Sequence, residues 1–174
     1  MRKLFLSFLV SFVFTAYAFA ENYNPAPVTL ETKFFSKIIN FSTSISDPKV
    51  GIVFEPSSST SVNSKKRIMQ NLSNNGISSV SVPVSSVDQA KNNGINVFYL
   101  SKGLSSVDYI SRTARRDKIL TFSSEPSFVD EGFASVCVGI TSNGKSKILI
   151  NMKNLKKEGN TFSSKLLKLA NIIN

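Results

Sequence analysis

The chain has no histidine and no tryptophan, and it has one cysteine, Cys137, among 174 residues. Without histidine there is no base for Ser-His-Asp or Cys-His nucleophile activation, and no histidine-containing zinc site. A single cysteine closes no intramolecular disulfide. Its neighbours Val136, Val138 and Ile140 place it in an apolar, strand-like run, where it reads as a buried, inert thiol. Acidic residues are scarce too, 11 against 21 basic ones, for a net charge of +10. For a two-carboxylate reaction the chain offers Asp47, Glu55, Asp88, Asp108, Asp117, Glu125, Asp130 and Glu131. Asp130 and Glu131 are adjacent, and in a strand adjacent side chains face opposite ways. There is no glycine-rich cradle for phosphate either: Ser57, Ser58, Ser59 and Ser61 lack a Gly-x-x-x-x-Gly-Lys pattern and read as an ordinary solvated loop after a strand. The expectation is a protein with no catalytic residue, no metal site and no cofactor.

The amino terminus speaks to compartment. Arg2 and Lys3 precede an apolar run over 4–14 broken only by Ser7 and Ser11, and Ala18-Phe-Ala20 is a small-x-small cleavage pattern. Residues 1–20 therefore read as a secretory signal peptide, too short for the roughly 20 apolar residues that span a bilayer. Downstream there is no second span, linker or repeat, so residues 21–29 read as a flexible, proline-containing lead-in and 30–174 as one domain. Signal removal takes Arg2 and Lys3 and lowers the net charge from +10 to +8. A basic balance suits nucleic acid, anionic lipid or an acidic protein surface; export argues against nucleic acid. Most of the basic residues are scattered as on solvated faces. Arg112, Arg115 and Arg116, at i, i+3 and i+4, share one helical face and are the candidate contacts for lipid headgroups or an acidic partner.

The spacing predicts elements along the rest. Leu30, Phe34, Ile38 and Phe41 form the apolar stripe of a helix with Thr29 as N-cap, stopped by Asp47-Pro48. Val50-Gly-Ile-Val-Phe54 is a strand buried on both faces. Helices over 65–74, 86–92 and 105–116 alternate with strands over 80–84, 95–100 and 119–122, and Pro83 puts the second strand at a sheet edge or its end. Such alternation predicts an α/β fold, a mostly parallel sheet with helices on both faces. After Glu125-Pro126 the rhythm changes. Runs over 133–141 and 147–152 flank Ser142-Asn-Gly-Lys145, a hairpin signal, so the sheet is expected to end in an antiparallel hairpin covered by a C-terminal helix from about Ser163. In that helix Phe162, Leu166, Leu169 and Ile173 form the core stripe, Leu167 and Ala170 widen it, and Ser163 or Ser164 caps it. Lys147, Leu149 and Asn151 face one way and Ile148, Ile150 and Met152 the other, leaving the Asn151 side chain to hydrogen-bond a neighbouring connection. Ile172 and Leu167 supply apolar surface beyond one face, enough to serve core, a homodimer or partner docking.

Taken in order, several of these features resemble the YfiR family of small bacterial periplasmic proteins. They are the opening helix with Phe34 and Phe41, Val50-Gly-Ile-Val, Val97-Phe-Tyr-Leu100, Ile119-Leu-Thr-Phe122, Gly132, Ile148-Leu-Ile-Asn151 and the closing Phe162-Ser163-Ser164-Lys-Leu166-Leu167-x-Leu169-Ala170. The resemblance implies a periplasmic α/β domain, without enzyme activity of its own, that binds the sensory part of an inner-membrane signalling protein. In the family's studied branch that partner is a diguanylate cyclase held inactive, so cyclic-di-GMP output and biofilm formation respond to envelope conditions. Cysteine pairs known in that family have no counterpart here, nor does its Trp-Pro pair after the first helix, where Phe41 is followed by Ser42. A second reading is a periplasmic small-molecule binding module, its ligand beyond the carboxyl ends of the strands near 54–61 and 101–105.

Overall fold

The computed structural model describes residues 22–173. The expected signal peptide lies outside them. Eight strands form one sheet: β1 (Asn24–Pro25), β2 (Val50–Phe54), β3 (Ser79–Pro83), β4 (Val97–Leu100), β5 (Leu120–Ser123), β6 (Val136–Ile140), β7 (Ser146–Asn151) and β8 (Asn171–Ile173). Their order is β3-β2-β4-β5-β6-β7-β8, with β1 on β6. From β3 through to β6 the neighbours are parallel; β6 and β7 are the expected antiparallel hairpin. The helices are α1 (Val28–Ile39), α2 (Ser59–Asn74), α3 (Val107–Asp117), α4 (Pro126–Asp130), α5 (Met152–Lys157) and α6 (Ser164–Leu167), with a 3-10 turn over Val84–Gln89.

Strand alternation divides the core in two. Val97 and Tyr99 of β4 join Leu120 and Phe122 of β5 under α1 and α2, through Phe35, Ile38, Ile68 and Leu72. Phe98 and Leu100 face the other way, toward Val87, Ile110, Ala114 and Val129 from the 3-10 turn, α3 and α4. The rings of Phe35, Tyr99 and Phe122 pack mutually with centroids 4.8–5.2 Å apart, a geometry that adds about 0.5–1.5 kcal/mol per pair beyond burial.

Four expectations change at the ends of elements. The segment expected as a flexible lead-in is tied to the sheet: Asn24 and Pro25 pair with Ile140 and Gly139, beyond the point where β5 stops at Cys137. Gly139 permits this crossing, since a Cβ there would sit 2.7 Å from Tyr23 Cβ. Helix α1 consequently starts earlier. Pro27, not Thr29, is its N-cap, and the fully buried apolar side is Phe35, Ile38 and Ile39, with Leu30, Phe34 and Phe41 at its margin. The serines read as a solvated loop instead begin α2: Ser58 Oγ accepts the Ser61 N–H, and Ser61 is buried against Ser101, their hydroxyls 2.7 Å apart. At the far end the C-terminal helix is a single turn. Asn171, Ile172 and Ile173 leave it and pair in parallel with Leu149, Ile150 and Asn151, because the polar backbone edge of β7 is satisfied better by a β-branched strand than by a continued helix. Leu169, expected in the core stripe, is 66% exposed.

Candidate functional site

Strand β2 leads through α2 to β3 on one side, while β4 leads through α3 to β5 on the other. Between β2 and β4 the winding reverses, and in open α/β sheets a crevice forms at such a point beyond the carboxyl ends of the strands. A cavity of about 370 Å³ lies at that end of the sheet. One wall is Ala26, Pro27 and Val28, held in place by β1. Another is one face of α2, where Thr60, Asn63, Ser64 and Arg67 recur at i, i+3, i+4 and i+7. Lys102, just past β4, and Ser124, just past β5, close it, and the Lys102 N–H donates to Ser64 Oγ at 3.0 Å.

Glu31 is the floor of this cavity, 1% exposed. It stands one helical turn before Phe35, so the aromatic trio that packs Phe35 also aims Tyr99 at it. The Tyr99 hydroxyl donates to Glu31 Oε1 at 2.7 Å, and the Ser124 hydroxyl donates to the same oxygen. Glu31 Oε2 is buried without a hydrogen-bond partner among the described residues. Burial holds the carboxyl above its ordinary range, against the pull of the Ser124 and Tyr99 hydroxyls and the Lys102 charge. An unmatched buried carboxylate oxygen costs about 1–3 kcal/mol or more, and such costs persist mainly where something else is served. Glu31 is not legible in the sequence as a site residue because it sits beside an apolar stripe that reads through Leu30 and Phe34. The available signals are a lone acid four residues before Phe35 and a lone hydroxyl, Tyr99, in an otherwise apolar strand.

Of the two segments expected to flank a ligand, 54–61 and 101–105, Thr60 and Lys102 do line this cavity; the family-motif residues and the three arginines lie elsewhere, most of them near the opposite end of the sheet. Asn151 ends β7 and caps α5: its Oδ1 accepts the Asn154 N–H at 2.9 Å, while its Nδ2 donates to the Val129 carbonyl at 2.9 Å. Helix α5 is hidden in the sequence because Met152 continues the strand's alternation. Gly132, at φ +78°, turns the chain out of α4, and its carbonyl accepts from Arg115. Phe162 and Leu166 are buried, Leu167 and Ala170 pack on the core's margin, and Ser164 opens α6. Ser163 occupies the N-cap position, but its hydroxyl makes no cap bond; its buried Oγ has no partner among the described residues. The three arginines take different partners. Arg112 pairs with Asp108 at 3.2 Å, Arg116 with Asp88 and Asp117, and Arg115 turns inward to Asn154 Oδ1 at 2.7 Å. Exposed pairs of this kind contribute little to stability.

Beside Arg115 lies a second buried acid, Glu158, which no sequence pattern marks out. It accepts from the Thr121 N–H and hydroxyl, the Ser135 hydroxyl and the Asn154 amide at 2.5–3.0 Å. Burial pushes its carboxyl up to about 7 against these four donors. Asp130 and Glu131, read as strand neighbours, sit instead at the end of α4. Cys137 is buried and burial pushes its thiol up. Among the described residues no three His, Cys, Asp or Glu side chains group as metal ligands would, and no helix is long and apolar enough to cross a membrane.

The fold is similar to that of several solved structures. A conserved domain protein from Vibrio cholerae and a ligand-free, open substrate-binding protein with adhesive properties from Clostridium difficile each superpose with a TM-score of 0.65 at 18% identity over 86% of this chain. An ABC domain from Streptococcus pneumoniae in complex with L-Trp gives 0.63 at 12% identity over 85%. The chain spans 60% of the length of each, and at these identities the likeness is one of fold. No curated protein matches the chain by sequence. Residues 29–171, from the first turn of α1 into β8, match the YfiR/HmsC-like family. On that match, which takes in nearly all of α1, the Gly132 turn and the Asn151 cap, the chain belongs to the YfiR/HmsC-like family.

Proposed function

We propose that this protein is exported to the periplasm and there binds and restrains the sensory domain of an inner-membrane signalling protein such as a diguanylate cyclase, affecting cyclic-di-GMP output and biofilm formation. The observation that carries this reading is the family match over 29–171. In this reading the protein has no enzyme activity of its own; it acts by binding, with its net positive charge and the apolar side chains at its C-terminal edge, Leu169 and Ile172, available to a partner or a second copy. Deleting the gene should raise cyclic-di-GMP and surface attachment. Tagged protein should recover a membrane signalling protein from solubilised envelopes. Unchanged cyclic-di-GMP together with no such capture would overturn the proposal.

A second reading, small-molecule binding, is favoured by the cavity at the winding reversal. Its volume of about 370 Å³ falls within the roughly 300–1,000 Å³ of ligand pockets, and its floor is a buried acid with a free oxygen. The two readings combine if a ligand sets the strength of restraint.

A further inference from the structure

The charges around the cavity do not balance. Arg67 and Lys102 bring two cations, and Glu31 is the sole acid among the lining residues. The first turn of α1 adds partial positive charge, since Pro27 supplies no side-chain cap and Val28 rims the opening. Among the described residues neither Arg67 nor Lys102 has a salt bridge, whereas Arg112 and Arg116 each have one or more. The two hydroxyls that meet Glu31 both go to Oε1. A neutral carboxyl accepts two such bonds on its carbonyl oxygen and keeps a hydroxyl on the other, a donor in need of an acceptor. The charged and titratable groups near Glu31 are Tyr99 from β4, Lys102 after β4, Glu125 after β5 and the buried Cys137 of β6, with Arg67 on the α2 wall. Burial, the largest influence, and Glu125 favour the neutral carboxyl, while the Ser124 and Tyr99 hydroxyls and Lys102 oppose them.

We propose that the cavity binds a small organic dianion of the dicarboxylate class, its carboxylates held by Arg67, Lys102 and the first turn of α1, one of them accepting a hydrogen bond from Glu31 Oε2. The planar guanidinium of Arg67 matches a carboxylate edge in a two-point contact. Glu31 supplies a donor where an ionised acid would repel the ligand. This rests on the cavity being a ligand site and is independent of which membrane protein is restrained.

Calorimetric titration of the full chain with fumarate, at about pH 6 and about pH 8, tests it. Fumarate stays doubly ionised at both, so a change in affinity reports the protein. Binding should be several-fold tighter at the lower pH, and Lys102→Met and Arg67→Leu should each weaken it about tenfold or more. Glu31→Gln keeps an acceptor for Tyr99 and Ser124 and puts an N–H at the free position, so it should bind fumarate without the pH dependence of the wild type. If that variant does not fold, Lys102→Met and the wild-type pH dependence still decide the matter. Tighter binding as pH rises, or affinity unaltered in both cation variants, would overturn the proposal. So would putrescine binding in preference to fumarate, which would leave the ligand-site reading standing with the opposite charge class. No heat and no thermal shift with either compound would remove the ligand-site reading as well.

Discussion

Glu31 and Glu158 are both buried acids, and they meet β5 toward opposite ends: Ser124, just past its carboxyl end, donates to Glu31, and Thr121, near its amino end, donates to Glu158. Glu158 has four donors for two oxygens: two from Thr121 of β5, one from Ser135 just before β6 and one from Asn154 of α5, the helix it closes. Glu31 has two donors on one oxygen and none on the other. The first pattern is what a structural carboxyl requires, because every lone-pair direction lost from water has been replaced. The second leaves a buried oxygen unmatched in a residue that lines a cavity with cations on its walls, which suits recognition. Burial alone does not separate a scaffold acid from a binding acid; the remaining hydrogen-bond capacity does.

The comparison breaks first, if at all, at Glu158. Glu158→Ala should lower unfolding free energy by about 3–5 kcal/mol in chemical denaturation, since it leaves four buried donors and a void. A loss under about 1 kcal/mol would deny it the scaffold role. Next is pH. Folded Glu158, pushed from 4.5 to about 7, holds its proton more tightly than the unfolded chain does. Its stabilisation is therefore fully present below about pH 4.5 and is lost as pH rises to about 7, a decline of up to about 3 kcal/mol. Glu31, also raised, adds a decline of the same sign. The wild type should lose more stability from pH 5 to pH 7.5 than Glu158→Gln does; parallel profiles would refute the linkage.

Asn151→Ala, at the same end of the sheet, removes the cap of α5 and a bond to Val129. It should cost about 1–3 kcal/mol, with amide exchange around Asn154 rising. The smallest effect is expected at Glu31. Glu31→Gln keeps the acceptor used by Tyr99 and Ser124 and removes the possibility of an unmatched buried charge, so the thermal midpoint should move by no more than the equivalent of about 1 kcal/mol. A loss as large as that of Glu158→Ala would make the two acids alike.

Much of the sheet was legible because parallel strands buried on both faces write continuous apolar runs such as Val50–Phe54 and Val97–Leu100, and because Asn143-Gly144 announces its hairpin. Elements whose existence depends on a partner were harder to read. Asn24–Pro25 has no strand pattern and pairs only because β6 extends past β5; Asn171–Ile173 reads as helix until the open edge of β7 claims it. The three arginines share a face by arithmetic, yet α3 packs so that Arg115 reaches Asn154 and Gly132.

By itself the sequence determined the alternating α/β pattern, the absence of histidine chemistry and the family resemblance, because local apolar period and residue inventory need no distant partner to be read. Strand order in the sequence already pointed to the carboxyl ends near 54–61 and 101–105, where Thr60 and Lys102 line the cavity, but tertiary structure alone decided its walls from α1 and the standing of its acid. Tyr99 and Ser124 lie 68 and 93 residues from Glu31, and whether a carboxyl is matched or left with a free oxygen depends on donors that only the folded chain brings within about 3 Å.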